Sequence, residues 1–248
     1  RNMNKFFVFL TSLSCIFGES NKLSVYDIVS EMDKNLNSKN RVLTSEMIIH
    51  GRRKSRTIKS KSWSTGFEKA FTENLSPARE AGTKMLKLKD KLWTYSPQTD
   101  RIIQISGHML RQSINGSDMS YKDMMETRPI REIYHLTLEK SAFVNDRDHW
   151  VIFMEAKVKG LSYPKRRAWI DKEYFLPIKE ERYAKSGKLL KTISMNNIKS
   201  VQGRWFPFHY RFKDELKRNS KGTEWVIIDI EFDSEISESR FSKALLRK

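Results

Sequence analysis

Five histidines and several neighbouring carboxylates are the residues best suited by type to catalysis or metal binding. No two histidines lie two to four residues apart, the spacing at which one helix or hairpin presents two imidazoles to a metal ion. We expect each to lie at the surface or half-buried on a strand: His50, His108, His135, His149 and His209. Glu180 and Glu181 are adjacent, so on a strand they point to opposite faces and cannot share a proton. The spacing predicts no catalytic residue, no metal site and no cofactor.

The first twenty residues have the order of features typical of a secretory signal peptide. Lys5 supplies a positive charge, residues 6–17 are mostly apolar, and small residues follow. The apolar run is shorter than the roughly 20 residues that a membrane-spanning helix needs. We therefore expect residues 1–20 to be a signal peptide, with residues 1–2 upstream of the first methionine, and residues 21–248 to be an exported domain. The alternative is a buried N-terminal strand or helix.

Cys15 is the single cysteine, so the chain can form neither an internal disulfide nor a cysteine-based metal site. Its place at the end of the apolar run makes it a candidate lipidation site. Leu13 lies two residues before it, whereas the usual lipidation box has leucine three residues before the cysteine. We expect a periplasmic protein, which is membrane-anchored if Cys15 is lipidated and loses Cys15 with the signal peptide otherwise.

The formal net charge is +17, from 47 Lys and Arg against 30 Asp and Glu. Such an excess attracts nucleic acid, an anionic membrane leaflet or acidic lipid head groups, although the charges can also be simply solvated. Basic clusters occur at residues 52–54 and 165–167, and Tyr163 and Trp169 flank the second. Export separates the chain from most nucleic acid. We therefore predict no nucleic-acid partner and leave peripheral membrane contact open.

The mature chain opens with a helix and continues as strands. Ser24 and Asp27 have the form of a capping box, and apolar residues then recur at helical spacing as far as Leu36. Further helices are expected near residue 120 and over residues 237–246. Strands are expected over residues 42–50, 54–65, 69–75, 82–89, 91–96, 102–106, 133–143, 150–157, 166–170, 178–183, 189–198, 205–212 and 225–232. Strands at this spacing, joined by turn residues, are typical of an antiparallel sandwich or barrel in one domain.

One short segment carries a family resemblance. GSDMSYKDM, residues 116–124, resembles the Gly-Ser-Asp-x-Ser-Tyr-x-Asp-Met block of the outer-membrane lipoprotein-sorting proteins, which are relatives of the lipoprotein carrier LolA and the receptor LolB. Residues 75–107, 168–192 and 203–212 resemble further blocks of this family in the same order. The resemblance covers nearly all of residues 22–248.

The resemblance implies a mainly β fold with helices (α+β): an unclosed antiparallel β-barrel whose concave face is covered by helices and encloses a hydrophobic cavity. It implies a non-enzymatic periplasmic carrier that binds the acyl chains of lipoproteins or lipids and transfers them towards the outer membrane. Its partners would be those acyl chains, an inner-membrane transporter and an outer-membrane acceptor. Two alternatives remain, an envelope sensor or scaffold that binds a protein partner and an enzyme that acts on envelope lipids.

Adaptable methionines and large apolar side chains suit the wall of such a cavity. The candidates for acyl-chain contact are Met47, Ile49, Trp63, Met85, Trp93, Ile103, Ile105, Met109, Met119, Tyr121 and Met124. Three motif residues are assigned structural roles. Gly116 would permit a backbone conformation closed to other residues, Ser117 or Asp118 would cap a short helix, and Asp123 would brace a strand or pair with an arginine.

Overall fold

Helix α1, Val25–Leu36, is the first element of the computed structural model, which describes residues 23–51 and 53–248. The expectations for residues 1–20 and Cys15 lie outside the described residues. The Ser24 side chain accepts a hydrogen bond from the Asp27 backbone, and the Asp27 carboxylate accepts one from the Ser24 backbone. The predicted capping box and helix are therefore confirmed.

Fourteen strands follow α1 in the described part of the chain. Most lie within two residues of the predicted bounds, because alternating side chains and turn residues mark them clearly. They are β1 Asn40–His50, β2 Ser55–Thr65, β3 Lys69–Ser76, β4 Lys84–Leu88, β5 Lys91–Ser96, β6 Arg101–Ile105, β7 Tyr134–Leu138, β8 Ala142–Val144, β9 Arg147–Ala156, β10 Lys165–Asp171, β11 Pro177–Tyr183, β12 Leu189–Val201, β13 Arg204–Asp214 and β14 Thr223–Phe232.

All fourteen strands belong to one antiparallel sheet with the order β6-β5-β4-β3-β2-β1-β14-β13-β12-β11-β10-β9-β7, and β8 also pairs with β9. Most neighbours in the sheet are neighbours in sequence, joined by hairpins. There are two exceptions. β7 pairs with β9 across the short strand β8, and the pairing of β1 with β14 joins the two halves of the chain. Because β6 and β7 end the order without meeting, the sheet is the unclosed barrel that the resemblance implies.

The structure corrects two predicted elements. Residues 133–143 are not one strand, because α3, Ile130–Ile133, is followed by β7 and then β8. The expected C-terminal helix is instead two 3-10 turns, Glu238–Phe241 and Lys243–Leu246. In both places apolar side chains on packed loops produce a spacing close to that of the expected element, so periodicity alone does not distinguish them.

The two faces of the sheet bury different segments. On the convex face, Phe241 and Leu246 from the C-terminal turns pack against Phe71, Leu86 and Trp93. On the concave face, α1 packs against β7, β9 and β10 through buried apolar side chains: Ile28, Val29, Met32, Ile152, Met154 and Ile170. Residues 114–127, which include α2, Tyr121–Met125, also lie on the concave face.

Candidate functional site

The motif segment 116–124 forms a tight turn followed by α2. Gly116 has a φ of +73°, in the left-handed region that glycine adopts without strain. The cap of α2 is Ser120, whose side chain accepts a hydrogen bond from the Asp123 backbone while the Asp123 carboxylate accepts one from the Ser120 backbone. The assignment of Ser117 or Asp118 as the cap was wrong by two to three residues, because residues 117–119 are non-helical and the helix begins only at Tyr121.

Asp118 fastens the motif to the sheet. Its carboxylate accepts hydrogen bonds from the Thr223 hydroxyl at 2.8 Å, the Ser220 hydroxyl at 2.8 Å and the Asp214 backbone at 3.1 Å. Its own backbone N–H donates to the Thr223 hydroxyl. Thr223 pairs with Ile49 in the sheet, so this contact holds the motif over the Ile49 end of β1.

Asp123 joins the motif to the other half of the sheet. Its carboxylate lies 2.5 Å from the Lys191 ammonium and 3.5 Å from the Arg182 guanidinium, and it accepts a 2.7 Å hydrogen bond from the Tyr163 hydroxyl. Burial alone would raise the pKa of Asp123, but Lys191 and Arg182 lower it to about 2. The carboxylate is therefore charged at neutral pH and tethers α2 to β11 and β12.

A cavity of about 420 Å³ lies between the concave face of the sheet and this tethered segment. Its floor is made by the small side chains of three adjacent strands: Ser45, Ser60, Ser62, Ser64, Ala70 and Thr72. Its remaining wall is mostly large and apolar: Leu43, Met47, Ile58, Met85, Leu92, Ile114, Met119, Met124, Met125 and Trp225. The space exists because small residues in the floor face large residues in the cover.

Five of the eleven candidate contact residues border this cavity: Met47, Trp63, Met85, Met119 and Met124. The Trp63 ring itself packs against Phe71 on the convex face, so only the four methionines turn their side chains towards the cavity. The other six are not among its lining residues. Trp93 packs on the convex face, Ile103 is exposed on the edge strand β6, and Ile49 and Ile105 are buried elsewhere. Met109 and Tyr121 are half-buried outside the cavity wall. Assigning these positions requires knowing which face of each strand is concave, which the sequence does not give.

Two cations on the cavity wall were not among the predicted residues. Lys87 is buried and donates hydrogen bonds to the carbonyls of Phe67 and Met125 and to the Thr127 hydroxyl. Burial lowers its pKa to about 8, partly offset by Glu126 and Glu68. Arg41 is half-buried, and its Nε is buried without a hydrogen-bond partner among the described residues. Lys87 lies between the apolar residues Leu86 and Leu88, a local signal that could have drawn attention to it, whereas Arg41 lies between Asn40 and Val42 and has no such signal.

The fold also brings together two histidines that are distant in sequence. His50 Nε2 lies 2.6 Å from one carboxylate oxygen of Glu224, and His209 Nε2 lies 2.7 Å from the other. His149 is fully buried, with both ring nitrogens unpaired and one of them 3.6 Å from Asp171. The expectation that every histidine is exposed or half-buried was therefore wrong for His149, because β9 is covered by the chain on both faces.

Two searches were limited to the described ranges 23–51 and 53–248. They contain no group of three or more His, Cys, Asp or Glu residues placed to hold a metal ion. They also contain no helix long and apolar enough to cross a membrane.

Comparison with known proteins finds a matching family model and similar solved structures, three of which are described. A family model described as an uncharacterized protein matches residues 66–248. A candidate outer membrane lipoprotein-sorting protein domain from Vibrio parahaemolyticus is 25% identical, with a TM-score of 0.77 over 90% of this chain and 97% of that one. A DUF1329 family protein from Desulfovibrio piger is 22% identical, with a TM-score of 0.80 over 89% of this chain and 97% of that one. A LolA superfamily protein from Nitrosomonas europaea is 21% identical, with a TM-score of 0.74 over 90% of this chain and 99% of that one. No curated protein matches the chain.

Proposed function

We propose that this chain, which has the LolA-like fold of outer-membrane lipoprotein-sorting proteins, is a periplasmic carrier that binds an acyl chain of a lipoprotein or lipid in the concave cavity and transfers it towards the outer membrane. The observation that carries this proposal is the cavity of about 420 Å³ with its methionine-rich cover. Pockets for small ligands run from about 300 to 1,000 Å³, so this volume suits one chain rather than several.

The polar floor is compatible with an apolar guest. Ser62 and Thr72 hydrogen-bond to each other at 2.8 Å, and the Ser45 and Ser60 hydroxyls lie 3.5 Å apart. Covering a polar group with an acyl chain is costly only when the group loses its hydrogen bond. Because these hydroxyls have partners within the floor, they remain satisfied when water leaves.

The expected affinity suits a carrier that must release its cargo. Burying about twelve methylenes contributes about 10 kcal/mol of favourable binding free energy. Association costs at least about 4 kcal/mol in lost translational and rotational freedom. The difference of about 6 kcal/mol corresponds to a Kd on the order of 10 to 100 µM. Methionines in the cover adapt to chains of different shape, which fits cargo of more than one kind.

Native mass spectrometry and lipid extraction of the purified protein test the proposal, together with displacement of a fluorescent fatty acid. Ser62→Phe fills the floor of the cavity and should weaken fatty-acid binding at least about tenfold, since the bulky ring occupies the space of the guest. Ser200→Phe places the same ring at an exposed position of β12 and should leave binding unchanged. Thermal unfolding of both variants checks that each is folded.

Absence of any co-purified or exchangeable lipid would contradict the carrier proposal. A stoichiometric protein complex that is insensitive to added lipid would instead support the sensor or scaffold, and turnover of a lipid would support the enzyme. The proposed partners on the transfer route are an inner-membrane transporter and an outer-membrane acceptor. Metabolic labelling with a tagged fatty acid distinguishes the two fates of Cys15. Incorporation that Cys15→Ala abolishes indicates a lipid anchor, and no incorporation in the wild-type protein indicates that Cys15 is lost with the signal peptide.

A further inference from the structure

Arg41 stands on the concave face of β1 at one end of the cavity. It pairs directly with Ser64 of β2, and Ser64 pairs with Ala70 of β3, which pairs with Lys87 of β4. Directly paired residues of an antiparallel sheet share a face. The four side chains therefore form one row across the cavity, with a cation at each end and the two small residues, Ser64 and Ala70, between them.

The two cations in this row differ in their partners. The Lys87 ammonium has three protons and three oxygen acceptors, so its hydrogen bonds are complete. Among residues 23–51 and 53–248, no hydrogen-bond partner contacts the buried Nε of Arg41, and no carboxylate forms an ion pair with its guanidinium. By contrast, Arg166 and Arg204 each contact a carboxylate.

Arg41 remains a cation despite its surroundings. Burial lowers its pKa, with a smaller opposing effect from Tyr210, but a guanidinium starts so high that it stays protonated at neutral pH. A buried charge without a partner is unfavourable unless a ligand supplies the counter-charge. The guanidinium also presents two parallel donors, which match the two oxygens of a carboxylate or phosphate.

We propose that Arg41 binds the anionic oxygens of the ligand's polar end, so that the cargo of this cavity is an amphiphile with a carboxylate or phosphate attached to its acyl chain. This inference rests on the proposed function and adds the chemical class of the ligand. It also gives the ligand a direction within the cavity.

The direction follows from the register of β1. Met47 lies six residues from Arg41 on the same face, a distance of about 20 Å at about 3.3 Å per residue. Met47 pairs with Ile58 and Trp225, so the Met47 end of the cavity is apolar. The anionic group would lie over Ser64 beside Arg41, and the chain would run along β1 towards Met47.

Calorimetric titration of the purified protein with three matched probes tests the inference: palmitate, hexadecyl phosphate and methyl palmitate. The first two carry an anion of different chemistry, and the third has a comparable chain without charge. We expect the wild-type protein to bind at least one anionic probe about ten- to hundredfold more tightly than the ester, which is the usual gain from a hydrogen bond to a charged group. The preferred anion distinguishes a fatty acid from a phospholipid-like ligand.

Three variants assign the preference to the guanidinium. Arg41→Met should abolish the preference for anions while leaving binding of the ester unchanged. It should also raise the melting temperature of the empty protein, since an unpaired buried charge is removed. Arg41→Lys should retain part of the preference, because it keeps the charge and loses the paired donors. Arg101→Met removes one exposed charge from β6 and should change nothing.

The outcomes separate this inference from the function on which it rests. If the wild-type protein binds neither the ester nor the anions, the acyl-chain carrier itself is wrong. If it binds all three probes equally, or if Arg41→Met keeps the preference, the carrier stands and the role of Arg41 is wrong.

Discussion

Glu180 lies at the centre of a buried ion cluster between β10 and β11. Its carboxylate is 2.7 Å from Arg166 and 2.5 Å from Arg182. Burial alone would raise the pKa of Glu180, but the two guanidinium groups lower it to about 2. A carboxylate whose pKa is lowered by folding stabilises the folded state above its unfolded pKa, and that stabilisation is lost as the pH falls towards the folded value.

Glu180→Gln should lower the free energy of unfolding at pH 7 by about 3 to 5 kcal/mol, the usual cost of leaving a buried charge without its partner. The difference from the wild-type protein should be complete above about pH 4.5 and shrink as the pH falls towards 2, because the wild-type carboxylate then becomes neutral as well. Urea unfolding across this range measures it.

Glu31→Gln provides the matched control for Glu180→Gln. Glu31 pairs with Lys34 on the exposed side of α1, and such pairs contribute only about 0.5 kcal/mol. A difference for Glu180→Gln that is equally large at pH 7 and pH 2.5 would show that shape, rather than charge, is what Glu180 contributes.

Helix α2 has only five residues, far fewer than an isolated helix needs to be stable in water. Its position therefore depends on the tethers at its ends. Asp118 holds the preceding turn to Thr223, Asp123 holds the helix to Lys191, and Lys87 holds the Met125 carbonyl. These contacts reach three separate parts of the sheet, so the cover of the cavity is fixed by polar contacts around its rim.

Asp123→Asn should loosen this cover. The substitution removes the charge that pairs with Lys191 and weakens the capping box, so we expect a loss of about 3 kcal/mol in unfolding free energy. Hydrogen exchange of residues 107–127 should accelerate more than that of the strands. Asp229→Asn at an exposed position of β14 should alter neither. Uniform acceleration over the whole sheet would contradict a local role for Asp123.

The strands and α1 were largely predictable because their signals are local: alternation along each strand and a capping box at Ser24. The site was less predictable because it depends on register. Arg41, Ser64 and Lys87 are far apart in sequence and meet only once β1 to β4 are paired, and the same applies to His50 and His209 at Glu224. No local pattern states which of two alternating faces becomes concave.

At the scale of the whole molecule, the net charge of +17 should produce salt-dependent contact with membranes. We expect the protein to co-sediment with phosphatidylglycerol vesicles at about 0.1 M salt and to be released at about 1 M, because the Debye length shortens from about 10 Å to about 3 Å. Phosphatidylcholine vesicles are the control. Equal binding to both vesicle types at both salt concentrations would show that the charge does not drive the contact.

The separation of β6 from β7 gives the molecule a mechanical property that a closed barrel lacks. In a closed barrel the strand number and stagger set the circumference, so widening the interior means breaking a ladder of hydrogen bonds. Here the free edges at β6 and β7 can move apart, so the interior can widen while all the hydrogen bonds between paired strands stay intact. Ligands of different width can then be accommodated by bending the sheet, without loss of inter-strand hydrogen bonds.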